Sequence, residues 1–363
     1  MGLILYIIIA FAVSFLFSFV TTPVIIQLCK KHKLYDLPND RKVHNIAIPR
    51  LGGTLFMPSM GIGVAIALSI MYGGFQKNFE ITISTFLMIA GAFMIFLIGI
   101  IDDLRGIDAS HKFVIQFIAA LFFPLCNLMI NNLHGFFGIY EISLWLSYPI
   151  TVLSILLIVN AINLIDGIDG LSSSLAFLIL ITFAYLFLQL DSTIFSLMSS
   201  SLAGAILAFL IFNVFGKVGK NKIFMGDAGS LFLGYVLAYL AIKYQMYNET
   251  GVYNYREESL LISTTLLFIP CIDVIRVAIF RKISGKKMFD ADKTHIHHLL
   301  MQSGLSMRQT LITIIAFFIF ICGVNYICNP LMSKTLILVL DILLYSLFIF
   351  TIQKSPCTSK HHK

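Results

Sequence analysis

Eleven apolar runs, each about 20 residues long and fenced by charges or turn residues, dictate most of what this chain can become. They fall at 3–29, 51–72, 81–101, 113–130, 142–162, 171–190, 194–215, 228–247, 259–280, 309–328 and 333–352. Runs of that length cross a bilayer core as helices, because hydrocarbon satisfies no open backbone group. Composition agrees: 58% of the 363 residues are hydrophobic, 12% are charged and mean hydropathy is +0.92, values no soluble domain tolerates. The expected fold is all-α, a polytopic integral membrane protein, with residues 1–363 forming one membrane-embedded domain.

An odd number of spans puts the termini on opposite sides, and basic residues choose between the two orientations. With the N-terminus periplasmic and the C-terminus cytosolic, 21 of the 25 Lys and Arg residues fall inside, leaving Lys77, Lys243, Arg256 and Lys334 outside. The net charge of +7 is therefore a topology signal facing anionic lipid heads, with no nucleic-acid partner implied. The first run lacks a basic start and a small-residue cleavage site, so it reads as a retained helix. Six scattered cysteines form no Cys-x-x-Cys pair, which implies neither a disulfide framework nor a zinc site.

In this orientation the cytosolic acids are all Asp, whereas the outer ones are Glu apart from Asp191. Short carboxylates gathered on one side suit divalent-metal and phosphate chemistry. Five cytosolic segments carry them or face them: 30–53, 102–112, 160–171, 216–230 and 281–308. The first holds Lys42 and His44, followed by a glycine pair, Gly52-Gly53, that lets backbone approach a ligand or a neighbouring helix. The second opens on Asp102-Asp103, which either ends a helix in solvent or shares a cation; Asp108 and Lys112 read as solvated.

The third segment spaces Asn160, Asn163, Asp166 and Asp169 at strict threes, with Gly167 and Gly170 between and after them. An ideal helix rotates such a stripe by about 60° per step, so the glycines predict that the helix ends here in a tighter turn. In the fourth, Phe224-Met225-Gly226-Asp227 puts an aspartate at a helix start, as an N-cap or as a metal ligand beside anion-binding amides. The fifth contains Lys293, His295, His297 and His298, without the further Cys or His that zinc requires; donors to pyrophosphate or sugar oxygens fit better. Asp341 lies alone in the last span.

Carboxylates to hold a metal, bases and histidines to hold an anion, and one membrane face to hold a lipid are the parts needed to move a phosphoryl group from a soluble donor to a lipid. The motifs RKVHNIAIPRLGG, DDLRG, NAINLIDGIDG, FMGDAGS and DKTHIHH, in that order, resemble those of the polyprenyl-phosphate N-acetylhexosamine-1-phosphate transferases from about Lys30 to about Gly304. The resemblance implies a Mg²⁺-dependent enzyme, with Mn²⁺ as the alternative ion. In it, undecaprenyl phosphate attacks UDP-GlcNAc in the bacterial cytoplasmic membrane and UMP is released, the first membrane step of a cell-surface polysaccharide.

The same resemblance makes Asp227 a metal ligand and Asp102, Asp103, His297 and His298 the catalytic set. It gives substrate contacts to Lys42, His44, Asn163, Asp166, Asp169, Asn213, Phe224, Lys293 and His295, with Phe224 under uracil. The spelling His295-Ile-His297-His298 is similar to the UDP-GlcNAc branch, while Lys293 stands where enterobacterial members carry arginine. Another UDP-N-acetylhexosamine, UDP-MurNAc-pentapeptide, and assembly as a homodimer stay open. From a different class, a cation-coupled transporter would place its acids near the midplane, where only Asp341 sits.

Overall fold

The structure is a computed structural model that describes residues 2–36, 47–73, 83–246, 257–285 and 293–354. Its helices are α1 (Gly2–His32), α2 (Phe56–Tyr72), α3 (Ile83–Arg105), α4 (Ala109–Leu125), α5 (Leu144–Ile165), α6 (Leu171–Gln189), α7 (Thr193–Val214), α8 (Gly226–Met246), α9 (Ser259–Ile283), α10 (Ile296–Gln302), α11 (Met307–Cys328) and α12 (Lys334–Lys354). Two short strands, β1 (Tyr35–Asp36) and β2 (Ile48–Pro49), pair antiparallel with Tyr35 opposite Pro49.

Each of the eleven expected spans contains a helix. Among the described residues nine helices are long and apolar enough to cross a membrane, one of them counting the 3₁₀ turn Gly52–Leu55 together with α2. The remaining two expected spans are α4 and α8. The run expected at 113–130 is helical at Ala109–Leu125 instead. Asn127 adopts a left-handed φ of 57°, and beyond it the backbone pairs across a loop, with Leu133 N donating to Tyr140 O at 2.7 Å and Ile142 N to Asn131 O at 3.0 Å.

α8 is the axis of the bundle. It is buried without a break from Ala228 to Ile242, between α3 and α5, so its glycines and tyrosines face protein and need not satisfy lipid. The opposite situation holds at the rim, where Ile83, Phe86 and Trp145 are exposed, as lipid-facing and interfacial side chains should be. α1, α2 and α7 meet through small residues, since apolar burial gives helices little reason to associate inside lipid. Ser200 Oγ donates to Ile7 O at 2.9 Å and Ser201 Oγ to Met60 O at 3.0 Å.

The described parts of the segments with candidate chemistry emerge at one end of this bundle: the C-terminal ends of α3, α5, α7 and α9 and the N-terminal ends of α2, α4, α6 and α8. The backbone of 49–53 is laid against 224–225. Phe224 N donates to Pro49 O at 2.8 Å, Gly52 N to Phe224 O at 2.9 Å, and Gly53 N to Met225 O at 2.8 Å. The Gly52-Gly53 pair thus serves approach to a neighbouring helix: a Cβ on Gly53 would sit 2.2 Å from Gly229 Cα of α8.

Candidate active site

A cavity of about 610 Å³ opens at that end. One side is built where α3, α4 and α8 converge. α3 stops at Arg105, Gly106 turns the chain with a φ of 73°, and α4 runs back so that Lys112 lies beside Asp102. The Lys112 ammonium donates to Asp102 Oδ2 and to Asp227 Oδ2, both at 2.9 Å. Asp102 Oδ1 accepts from Ile107 N at 2.6 Å, and Asp227 Oδ1 accepts from Asn163 Nδ2 at 2.9 Å. Asn163 also donates to Ser230 Oγ at 2.8 Å.

Asp103 does something different from its neighbour. Its two oxygens take the amides of Asp227 (2.9 Å) and Ala228 (3.0 Å), the first turn of α8. The α8 N-terminus is therefore capped by α3, and Asp227 is left free to face the cavity.

The opposite side is the turn between α5 and α6. The helix ends at Ile165, and Gly170, at a φ of 78°, starts the next one. Asn160 is still inside α5 and donates to Gln116 Oε1 at 2.7 Å, away from the cavity. Asn163, Asp166 and Asp169 reach it. Asp169 is paired with Lys222, whose ammonium also donates to Asn213 O at 3.2 Å. Asp166 is half-buried, and its carboxyl is pushed up to about 8, first by burial and then by the negative charges of Asp227, Asp169 and Asp103. A side chain at Gly167 would force the His297 ring to shift, because a Cβ would lie 2.1 Å from its Nε2.

Nine of the expected site residues line the cavity: Asp102, Asp103, Asn163, Asp166, Asp169, Asn213, Phe224, Asp227 and His298. Asn213 does so with its amide engaged, accepting from Gly170 N at 2.7 Å and donating to Ile223 O at 2.9 Å, so it ties the turn to the segment before Phe224. His297 lies behind the wall, 1% exposed. Neither of its ring nitrogens has a hydrogen-bond partner among the described residues, and burial, then His298 and His295, push its pKa down to about 3. His295 is turned away onto Asp273 at 2.7 Å, and Lys293 is exposed outside the cavity. Lys42 and His44 lie outside the described residues.

Comparison with known proteins bears on what such a cavity is for. The model of glycosyl transferase family 4 matches residues 85–245, the stretch from α3 to α8 that supplies both sides of the cavity. A probable undecaprenyl-phosphate N-acetylglucosaminyl 1-phosphate transferase of Bacillus subtilis (strain 168) is 32% identical over 315 residues, 85% of this chain and 81% of the relative. The chain belongs to the polyprenyl-phosphate N-acetylhexosamine-1-phosphate transferase family. Undecaprenyl-phosphate alpha-N-acetylglucosaminyl 1-phosphate transferases of Pasteurella multocida (30% identical, 94% of this chain, 92% of theirs) and Salmonella typhi (28%, 93% and 89%) are similar over nearly their whole length.

As a member of this family, the protein is a multi-pass membrane transferase. Two cations paired with the cavity's aspartates escaped the expected set. Lys112, read from sequence as solvated, is the cation shared by Asp102 and Asp227, and Lys222 is the partner of Asp169. Arg50 and Asp36 complete the lining from the β1–β2 side. The sequence signal for Lys112 was the Gly106 reversal, which makes residues on either side of it neighbours.

Proposed function

We propose that the protein transfers N-acetylglucosamine 1-phosphate from UDP-GlcNAc to undecaprenyl phosphate at the cytosolic face of the bacterial cytoplasmic membrane, with the N-terminus outside, as the first membrane step of a cell-surface polysaccharide. One observation carries this reading. Asp102 and Asp227 converge on a single cationic position at 2.9 Å each, in a cavity that also holds Phe224, Lys222 and His298. The similar bacterial proteins are named for undecaprenyl phosphate and for transfer of N-acetylglucosaminyl 1-phosphate, which supports the acceptor and the transferred group.

The arrangement fits Mg²⁺. Among the described residues no three Asp, Glu, His or Cys side chains form a metal cage, but Mg²⁺ is usually held by one or two carboxylates together with substrate phosphates and water. Asp102 and Asp227 would hold it where the Lys112 ammonium now sits. Such an ion, when bound, neutralises diphosphate charge. Lys222 and Arg50, which line the cavity, are the chain's own groups for the phosphate oxygens, and Phe224 offers a face to the base.

In the reaction, an oxygen of the lipid phosphate bonds to the β-phosphorus of UDP-GlcNAc. The bond from that phosphorus to the bridging oxygen breaks, and UMP leaves with the electron pair. With a second pKa near 6, the lipid phosphate is mostly dianionic at neutral pH and attacks without a base. Direct attack, with no aspartyl-phosphate intermediate, is supported by the aspartates themselves: both oxygens of Asp103 are taken by amides, and those of Asp102 by Ile107 N and Lys112.

The test is exchange of labelled UMP into UDP-GlcNAc by purified protein, with and without undecaprenyl phosphate, alongside a panel of other UDP-sugars. Exchange that requires both the lipid and Mg²⁺, and that is fastest with UDP-GlcNAc, is the expected result. Exchange without lipid, or a phosphosugar trapped on Asp102 or Asp103, would overturn direct attack. A different preferred UDP-sugar would overturn the donor.

A further inference from the structure

Outside the cavity, α9 carries a buried carboxylate that the reaction as described does not use. Asp273 is 1% exposed, ten residues from the end of α9, about 15 Å along its axis. Its Oδ1 accepts from Arg276 Nη2 at 2.7 Å, Tyr345 Oη of α12 at 2.9 Å and Ile296 N at 3.0 Å. Its Oδ2 faces His295 Nδ1 at 2.7 Å. Arg276 also donates to Tyr345 Oη at 3.2 Å and to Thr294 O. Two membrane helices and the histidine segment therefore meet on one carboxylate.

From His295 the contacts continue toward the cavity. The His295 and His297 rings are parallel within 7°, with centroids 6.0 Å apart, and His297 lies 4.2 Å from His298. His298 lines the cavity, and His297 is seated over Gly167 of the Asp166–Asp169 turn. A buried ionic cluster adds little net stability over an apolar replacement, but it fixes direction. Here the direction it fixes is that of the histidine wall relative to the acidic turn.

We propose that Asp273 is a positioning residue of the transfer reaction: from outside the cavity it fixes His295 and, through the His297 ring, parallel to His295 and tilted by 43° against His298, the placement of His298 in the cavity wall. This role rests on the reading of the reaction given above. Asp273 touches no reacting atom. It acts by holding His298 at a constant distance from whatever occupies the space between Asp227 and Asp169.

A double-mutant cycle on the full chain in detergent, with undecaprenyl phosphate and UDP-GlcNAc, separates positioning from bulk stability. Asp273→Asn keeps the shape and loses the charge facing His295; it should lower kcat by about tenfold while KM for UDP-GlcNAc moves by less than about threefold. In a His298→Gln background the same substitution should cost less than about twofold, because its route to the chemistry is already gone. If Asp273→Asn does not fold, Tyr345→Phe removes one donor to the carboxylate while keeping the helix packing, and its kcat loss should likewise vanish in His298→Gln. Equal losses in both backgrounds, or unchanged kcat in the single variants, overturn the proposal. Wild-type protein inactive on UDP-GlcNAc overturns the reaction and this role together, whereas an active wild type with multiplicative losses overturns only the role of Asp273.

Discussion

Asp103 of α3 accepts the backbone amide of Asp227 of α8 at 2.9 Å, across 124 residues of sequence. Adjacent aspartates thus have separate work: Asp103 holds the start of α8 with both oxygens, and Asp102 faces the cation position. Asp103→Ala strands two amides of a buried helix start, at a cost of about 2 kcal/mol. A lower thermal unfolding midpoint in detergent is expected for Asp103→Ala, with a smaller drop for Asp102→Ala, which strands one amide, leaves Lys112 on Asp227 and abolishes turnover. Equal midpoints for the two variants would contradict the division.

Lys112 bridges Asp102 and Asp227, so if Mg²⁺ is held by these two carboxylates, as proposed, ammonium and metal would compete for them. Lys112→Met leaves two carboxylates facing each other and should destabilise the metal-free protein by about 1–3 kcal/mol, since a partly buried pair loses its partner. Mg²⁺ should then raise the unfolding midpoint of the variant more than that of wild type, at lower concentration. A Mg²⁺ titration of thermal stability reads this directly. Identical titrations for the two proteins would place the metal elsewhere.

Asp341, the lone acid of the last span, accepts from Asn325 Nδ2 at 2.8 Å, and the same amide donates to Thr265 Oγ1 at 2.8 Å. This is a bond between α9, α11 and α12, remote from the cavity lining. Asp341→Asn should therefore keep full transferase turnover. Loss of turnover with an unchanged unfolding midpoint would give this residue a function that helix packing does not account for.

The membrane class and the helices were legible because each depends on local composition: a run of apolar residues declares its span wherever its neighbours lie. The turn at Gly167 and Gly170 was legible for the same reason. Partnerships between helices were not. Nothing near Lys112 in sequence announces Asp227, 115 residues away, and nothing near His295 announces Asp273 rather than a substrate. Asn213 illustrates the ambiguity: a polar residue at a helix end suits a ligand, yet its amide accepts from Gly170 N and donates to Ile223 O, tying two segments of the wall together. Motifs gathered the right segments at one end of the bundle, but only the fold divides those that face the cavity from those that hold the wall.

Gly167 stands where the turn passes under His297, and a methyl group there would overlap the imidazole at 2.1 Å. The ring is buried, and the His298 ring at the cavity has its centroid 4.2 Å away. Gly167→Ala should consequently lower turnover by about tenfold or more, with a smaller relative effect on the unfolding midpoint, and Gly167→Val should lower it further. Steady-state kinetics with UDP-GlcNAc beside a thermal scan decides this. Normal turnover by Gly167→Val would show that the histidine wall is free to move.

Asp166 supplies a prediction in pH. Its carboxyl titrates near 8 in the folded protein, raised by burial and by Asp227, Asp169 and Asp103, against about 3.9 in an unfolded chain. Between those values the folded state holds a proton that the unfolded state releases. The stability this group contributes is therefore complete below about pH 4 and is lost as pH rises toward 8. Asp166→Asn has no proton to lose, so metal-free Asp166→Asn should gain stability relative to wild type steadily from about pH 5 to about pH 8. Turnover should move the other way, because an amide has no proton to give up and so can never offer a carboxylate to a bound cation and its diphosphate. Unfolding midpoints of both proteins across that range, in chelator, make the comparison. A difference that does not change with pH would mean that the three neighbouring carboxylates leave Asp166 unaffected, and that the acidic turn does not face a shared cation position.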